Sequence, residues 1–158
     1  AYLEGFFDKG AYAHRLLRKE QFLGVCASDS PLAGRHLELE ELLAQRLIIR
    51  EPGSGTREIL EKMLQQFSYG VGSFSHVSQI SSFTTIKSLV AGGEGITFLY
   101  RPAAEHELAE GVLTEMDIEG FPLLREFNFV MPEGVPPEER HLNFHNFCRK
   151  FLDCGQAD

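Results

Sequence analysis

The sequence has no tryptophan, no CxxC pair, no long apolar run and no excess of positive charge. With 13 Phe and no Trp, most of the aromatic packing falls to phenylalanine. The three cysteines, Cys26, Cys148 and Cys154, are irregularly spaced. An odd count without a repeat argues against a disulfide framework and fits a reducing cytoplasm. No apolar stretch approaches the roughly 18 residues that a membrane span requires. The formal net charge is -8, from 15 basic and 23 acidic residues. A surface of that sign repels phosphate backbones, so this segment is a poor candidate for gripping DNA. The richest basic stretch, His14 to Lys19, is followed at once by Glu20 and reads as a solvated strand edge. There is neither an initiator Met nor a signal-like basic start. The opening Ala1-Tyr2-Leu3-Glu4-Gly5-Phe6-Phe7 reads as the tail of a strand already under way, as if cut from a larger protein.

What is present is an ordinary globular composition. The chain has 158 residues, 43% of them hydrophobic, enough for one domain or two small lobes with a real core. Gln21 to Ala27 is a mostly apolar run closed by Ser28-Asp29-Ser30-Pro31, the pattern of a buried strand bounded by a turn. A short helix near Leu39 to Ala44 precedes the strand Arg46 to Arg50. Beyond the loop Glu51 to Thr56, residues Ile59, Leu60, Met63, Leu64 and Phe67 form one apolar helical stripe. Ser73 to Ile80 is harder, because Phe74, Val77 and Ile80 recur every third position, but their residue types favour a strand. Ser82 is placed to cap a helix Phe83 to Ala91 by accepting from the amide of Thr84 or Thr85, and Gly92-Gly93 ends that helix. A strand Gly95 to Tyr100 follows, then a helix from Pro102 to about Glu110. This alternation predicts a parallel, doubly wound α/β sheet. Val112 to Met116 suits a sheet edge and Leu123 to Met131 a long strand. The last helix, about Glu138 to Asp153, has Phe144, Phe147, Cys148, Phe151 and Leu152 as its apolar face.

Gly53-Ser54-Gly55-Thr56 stands between a buried strand and a helix. The unpaired amides of a helix start, with its positive dipole end, form an anion site to which Ser54 and Thr56 add hydroxyls. The same residues would equally serve a plain helix cap and an eased turn, and the pattern alone does not separate the two. Enzyme readings of the loop fail on spacing. No Gly-Lys pair completes a P-loop, Glu58 stands where a dinucleotide fingerprint needs its third glycine, and Pro52 and Thr56 stand where a nucleophile elbow needs glycines. Ser82 is a lone cap residue, structural before anything else. His141, His145 and Cys148 have ligand-like helical spacing for zinc, but no fourth ligand completes a set, so boundary packing is expected and no metal site is assigned.

Three blocks carry a family resemblance. Cys26 to Ala33, Leu47 to Arg57 and Thr85 to Ile96 resemble, in order and at similar separations, the effector domain of LysR-type transcription regulators. The resemblance spans Leu3 to about Leu152. It implies an α/β periplasmic-binding-protein-like architecture of two lobes joined by crossing strands, with a ligand in the cleft. On that mapping residues 27–126 are one nearly complete lobe, and residues 1–26 and 127–158 hold the crossing strands and a partial second lobe. It implies effector contacts at Ser54, Gly55, Thr56, Ser82, Glu4 and Gly5, although an ordinary strand exit explains the last two equally well. The family's winged helix-turn-helix, its linker helix and the first strand-helix-strand of the second lobe have no counterpart here.

The leading expectation is therefore a cytoplasmic sensor of a small anionic metabolite, with no cofactor and no catalytic residue. In the intact protein it would reach DNA only through an N-terminal domain and assemble as a homodimer or tetramer. The alternative is a solute-binding protein of the same fold serving a transporter. An enzyme using Glu4 or Glu51 as a base is the third reading, and it lacks a pair of titratable groups at a telling spacing.

Overall fold

The computed structural model describes residues 2–4, 10–132 and 138–154. The elements run β1 (Tyr2–Glu4), β2 (Tyr12–Ala27), β3 (His36–Leu37), α1 (Leu39–Leu42), β4 (Arg46–Ile49), α2 (Gly55–Gln66), β5 (His76–Gln79), α3 (Phe83–Ala91) and β6 (Thr97–Tyr100). They continue with α4 (Arg101–Ala109), β7 (Leu113–Glu115), β8 (Asp117–Ile118), β9 (Leu123–Pro132) and α5 (Glu139–Cys154). The chain divides into two compact units, Gln21–Leu123 and Ala1–Glu20 with Leu124–Asp158.

In the unit Gln21–Leu123, β5 and β4 pair in parallel, with Leu47 opposite Val77. Ile96 continues the parallel ladder: the Ile48 amide donates to the Ile96 carbonyl and the Ile96 amide donates to the Arg46 carbonyl, each at 2.9 Å. β6 follows directly from Ile96. The end of β2 then pairs antiparallel with β6, Phe22 opposite Tyr100, and antiparallel with β7, Ala27 opposite Leu113. The strand order is thus β5-β4-β6-β2-β7. The all-parallel sheet that the alternation predicts is met only in β5-β4-β6. β2 joins the sheet without a preceding βαβ crossover, and only such a crossover compels parallel pairing.

Both faces of its central strands β4, β6 and the end of β2 are covered, which explains why these read as mostly apolar runs rather than alternating ones. Leu47 and Ile49 of β4, Phe98 of β6 and Phe22 and Cys26 of β2 pack with Ile59, Leu60, Met63 and Leu64 of α2. Ile48, Leu99, Leu23 and Val25 point the other way, onto Ile86 and Val90 of α3 and Ala104 of α4. Phe67 does not extend the α2 stripe; the helix ends at Gln66, and Phe67 is its half-exposed C-cap. The awkward spacing of Phe74, Val77 and Ile80 also resolves. Phe74 belongs to a turn ahead of β5 and enters one core, while Ile80, just past the strand, packs against the other.

In the second unit, β1 pairs antiparallel with β9, Tyr2 opposite Phe129, and Lys19 lies 3.6 Å from Glu126. Of the expected apolar face of α5, Phe144 and Phe147 are not turned inward, and the side chains of Phe151 and Leu152 lie outside the described residues. Phe144 and Phe147 are 54% and 66% exposed, whereas His145 is 4% exposed with its ring 5.4 Å from that of Phe129. A helix buries one stripe, and the stripe that carries His145 also carries the half-buried Leu142 and Cys148, three residues to either side. Phe144 and Phe147 fall outside it.

Two outcomes follow from this packing. A Cβ on Gly95 would stand 2.4 Å from the Arg46 carbonyl oxygen, at the junction that joins β6 to β4. Gly95→Ala is expected to cost about 1–3 kcal/mol in urea unfolding, because backbone rather than a flexible side chain must give way. His145 titrates below its ordinary value of 6.5, first because it is buried and then because Arg15 and Arg149 repel the charged form. Its folded pKa lies below the unfolded one, so its contribution is full above the ordinary value and is lost as the pH falls through the folded value. The urea midpoint should decline with acidification over that range, and His145→Phe should flatten the decline.

Candidate functional site

Parallel strands end on one edge of a sheet, so the loops that follow β4, β5 and β6 gather there. α2 packs on one face and α4 on the other. The neighbouring strands β4 and β6 therefore send their helices in opposite directions. Such divergence marks the carboxyl edge at which open α/β sheets take ligands.

The loop Arg50 to Ser54 joins β4 to α2 at this edge. Gly53, at φ +87°, supplies the left-handed residue that turns the chain into α2. Gly55, expected to ease the turn, is instead the first residue of the helix. Ser54 is the N-cap by backbone geometry, yet its hydroxyl makes no capping hydrogen bond within the described residues. The first-turn amides of α2 have no partner inside the helix. Ser54 and Thr56 are half-buried and Gly55 is exposed, so the groups are sheltered but reachable.

Ser82 follows β5 on the same edge. Its hydroxyl accepts from the Thr85 amide at 3.3 Å, so it caps α3 as its position implied. Glu4 lies in β1 opposite Phe127, in the other unit, and Gly5 lies outside the described residues. The structure thus brings Ser54, Gly55, Thr56 and Ser82 to one sheet edge. A recess of about 230 Å³ lined by Asp29, Ser30, Gln45, Gly93 and Gly95 lies elsewhere, at the entry ends of β4 and β6, and holds none of these residues.

Charged groups that the sequence reading did not select also crowd this edge. Arg50, the first residue beyond β4, donates from Nε and Nη2 to the two carboxylate oxygens of Glu51, each at 2.9 Å. Its guanidinium carbon sits 4.5 Å from the centre of the Phe83 ring, and its own carbonyl accepts from Arg57 Nη1 at 3.2 Å. Arg101, the first residue beyond β6, donates to Gln21 and Glu115. The signal that could have found them is positional: a basic residue immediately after a buried parallel strand faces the carboxyl edge.

Catalytic readings gain nothing from this geometry. The Arg50 guanidinium holds the Glu51 carboxyl down at about 2, which leaves its carboxylate a feeble base. His141 is exposed while His145, one turn on, is buried. No group of three His, Cys, Asp or Glu among the described residues is placed to hold a metal ion. No helix among them is long and apolar enough to cross a membrane.

Residues 2–153 match the family described as LysR substrate binding domain. The chain belongs to that family. It is 39% identical over 111 residues to the HTH-type transcriptional regulator CbbR of Rhodospirillum rubrum, covering 70% of this chain and 36% of that protein. It is 33% identical over 159 residues to YeiE of Escherichia coli K12, an uncharacterized HTH-type transcriptional regulator, covering 98% of this chain and 51% of that protein. The chain thus spans about half or less of the length of these relatives. Among solved structures it resembles the CcmR regulatory domain of Synechocystis PCC6803 in complex with 2-PG, with TM-score 0.77, 23% identity, and coverage of 95% of this chain and 71% of that one. The effector binding domain of QuiR in complex with shikimate gives TM-score 0.70 at 15% identity, covering 95% and 69%. The fold is accordingly the periplasmic-binding-protein-like α/β fold of LysR regulatory domains.

The two cap serines provide a test of local roles. Ser82→Ala should lower stability by roughly 0.5–1 kcal/mol in thermal unfolding, through loss of an N-cap bond. Ser54→Ala, whose hydroxyl caps nothing, should leave the midpoint within about 0.5 kcal/mol of the parent.

Proposed function

We propose that this chain is the effector-sensing part of a bacterial transcription regulator and that it binds a small anionic metabolite at the carboxyl edge beside Ser54, Gly55 and Thr56. The observation that carries the reading is the start of α2. Its amides point out of the helix at a topological switch point, and the Ser54 hydroxyl beside them is not consumed by capping. Membership of the family and the small molecules held by two solved neighbours support the same reading. Ser82 adds a second helix start on the same edge, and Glu4 and Gly5 are further contacts proposed from the family resemblance. The lobe bounds 27–126, with 1–26 and 127–158, are proposed on the same basis.

In the intact protein the sensor acts in the cytoplasm as a homodimer or tetramer. It reaches DNA through a domain outside this chain, since the net charge of -8 disfavours direct contact with phosphate backbones. Ligand binding shifts the balance between conformations of the regulator, and with it the placement of the DNA-binding parts. No cofactor and no catalytic step enters. A solute carrier of the same fold is the weaker reading, because the relatives CbbR and YeiE are transcription regulators.

Calorimetry of the chain against 2-PG, shikimate and inorganic phosphate tests the proposal. Thr56→Val and Ser54→Ala should each weaken binding of the ligand that responds by at least about tenfold, the worth of one hydrogen bond to a charged group. The melting temperature should stay near that of the parent. Undiminished affinity in both variants would move the site elsewhere.

A further inference from the structure

Beside the exposed His106–Glu110 pair of α4, four described ion pairs formed by arginine or lysine involve residues on the carboxyl edge of the parallel strands or on the helices that start there. Arg57 of α2 pairs with Glu61 along its own helix, with its side chain only 12% exposed. Lys87 pairs with Glu107, joining α3 to α4, and both side chains are largely buried. Arg101 is held by Gln21 and by Glu115. The fourth pair, Arg50 with Glu51, differs in that its carboxylate is the most exposed of the four, at 42% of its side chain.

The supports of Arg50 are independent of Glu51. One face of its guanidinium rests on Phe83, the first residue of α3, and its backbone carbonyl is gripped by Arg57 from the first turn of α2. Arg50 is thus tied to both helix starts of the proposed site. Its planar fork, stacked on an aromatic ring, presents two parallel donors suited to any carboxylate or phosphate. Glu51 at present fills that fork with two bonds. Water screens a pair between adjacent, partly solvated residues, so replacing it costs an incoming anion less than the lowered Glu51 pKa alone implies.

We propose that Arg50 is the charge partner of the anionic ligand in this domain and that Glu51 is its built-in competitor, occupying the guanidinium until the ligand displaces it. The inference rests on the effector-site reading above and adds to it a specificity device. A ligand with a planar, doubly accepting anionic group can replace Glu51, and a neutral one cannot. The competitor is always armed at neutral pH, because Arg50 itself holds the Glu51 carboxyl down at about 2. Neither member of the pair therefore changes charge across the physiological pH range, and its hold on a ligand weakens with added salt.

The test is an NMR titration of the whole chain with inorganic phosphate at constant ionic strength, following the amide signals of Gly55 and Thr56. Glu51→Gln removes the competitor and keeps the shape; it should bind phosphate roughly three- to fivefold more tightly than the parent. Arg50→Gln should bind at least about tenfold more weakly while keeping a dispersed spectrum. Should Arg50→Gln lose its fold, Arg50→Lys, which keeps the charge without the fork, decides by showing intermediate affinity or by matching the parent. Equal or weaker binding by Glu51→Gln would overturn the competitor role, and parental affinity in the Arg50 variants would overturn the charge-partner role. If neither the parent nor Glu51→Gln responds up to about 50 mM phosphate, the inference and the effector-site reading fall together. If the parent responds and the variants do not differ from it, only the inference falls.

Discussion

Burial of the central strands β4, β6 and the end of β2 on both faces is the constraint from which the rest of the larger unit follows. Leu47 and Ile49 point into one apolar cluster while Ile48 points into the other, and Phe98 and Leu99 repeat the division on the next strand. A strand buried on both sides accepts few polar side chains, Thr97 of β6 being one, so most polar and charged residues of this segment lie at the strand ends and in the loops. The Arg50 to Thr56 loop is polar for that reason, and it is also where a ligand can be met.

The same two-sided packing makes the site. If α2 and α4 lay on one face, the loops after β4 and β6 would close over each other. They lie on opposite faces, so the strand ends diverge and leave the helix starts accessible. Gly53 and Gly95 serve this arrangement in different ways: one turns the chain into α2 with a positive φ, the other lets β6 come against the Arg46 carbonyl. The arginines just beyond β4 and β6 each carry their own carboxylate, Glu51 and Glu115. The positive charge of that edge is therefore balanced within the chain.

Local rules carried far into this chain where a single residue decides the outcome. Ser82 caps α3 as its position beside Thr85 implies, and the α3 bounds Phe83–Ala91 follow from that cap and from Gly92. They failed where two patterns competed for one segment. On α5, hydrophobicity favoured a face through Phe144 and Phe147, but packing against Phe129 selected the stripe of His145. At Ser54, capping and ligand binding call for the same residue, and in the folded chain its hydroxyl makes no capping bond.

The sequence by itself determined the α/β class, the order of the elements and the identity of the helix-start loop. Each of these depends on residues near one another along the chain: apolar runs, a cap serine, a glycine stop. The tertiary structure decided that β2 lies antiparallel beside β6, that Arg50 stacks on Phe83 far along the chain, and that Ser54 keeps its hydroxyl. These depend on which strands become neighbours and which helix takes which face, and two apolar runs of similar composition do not specify that until the whole sheet is assembled.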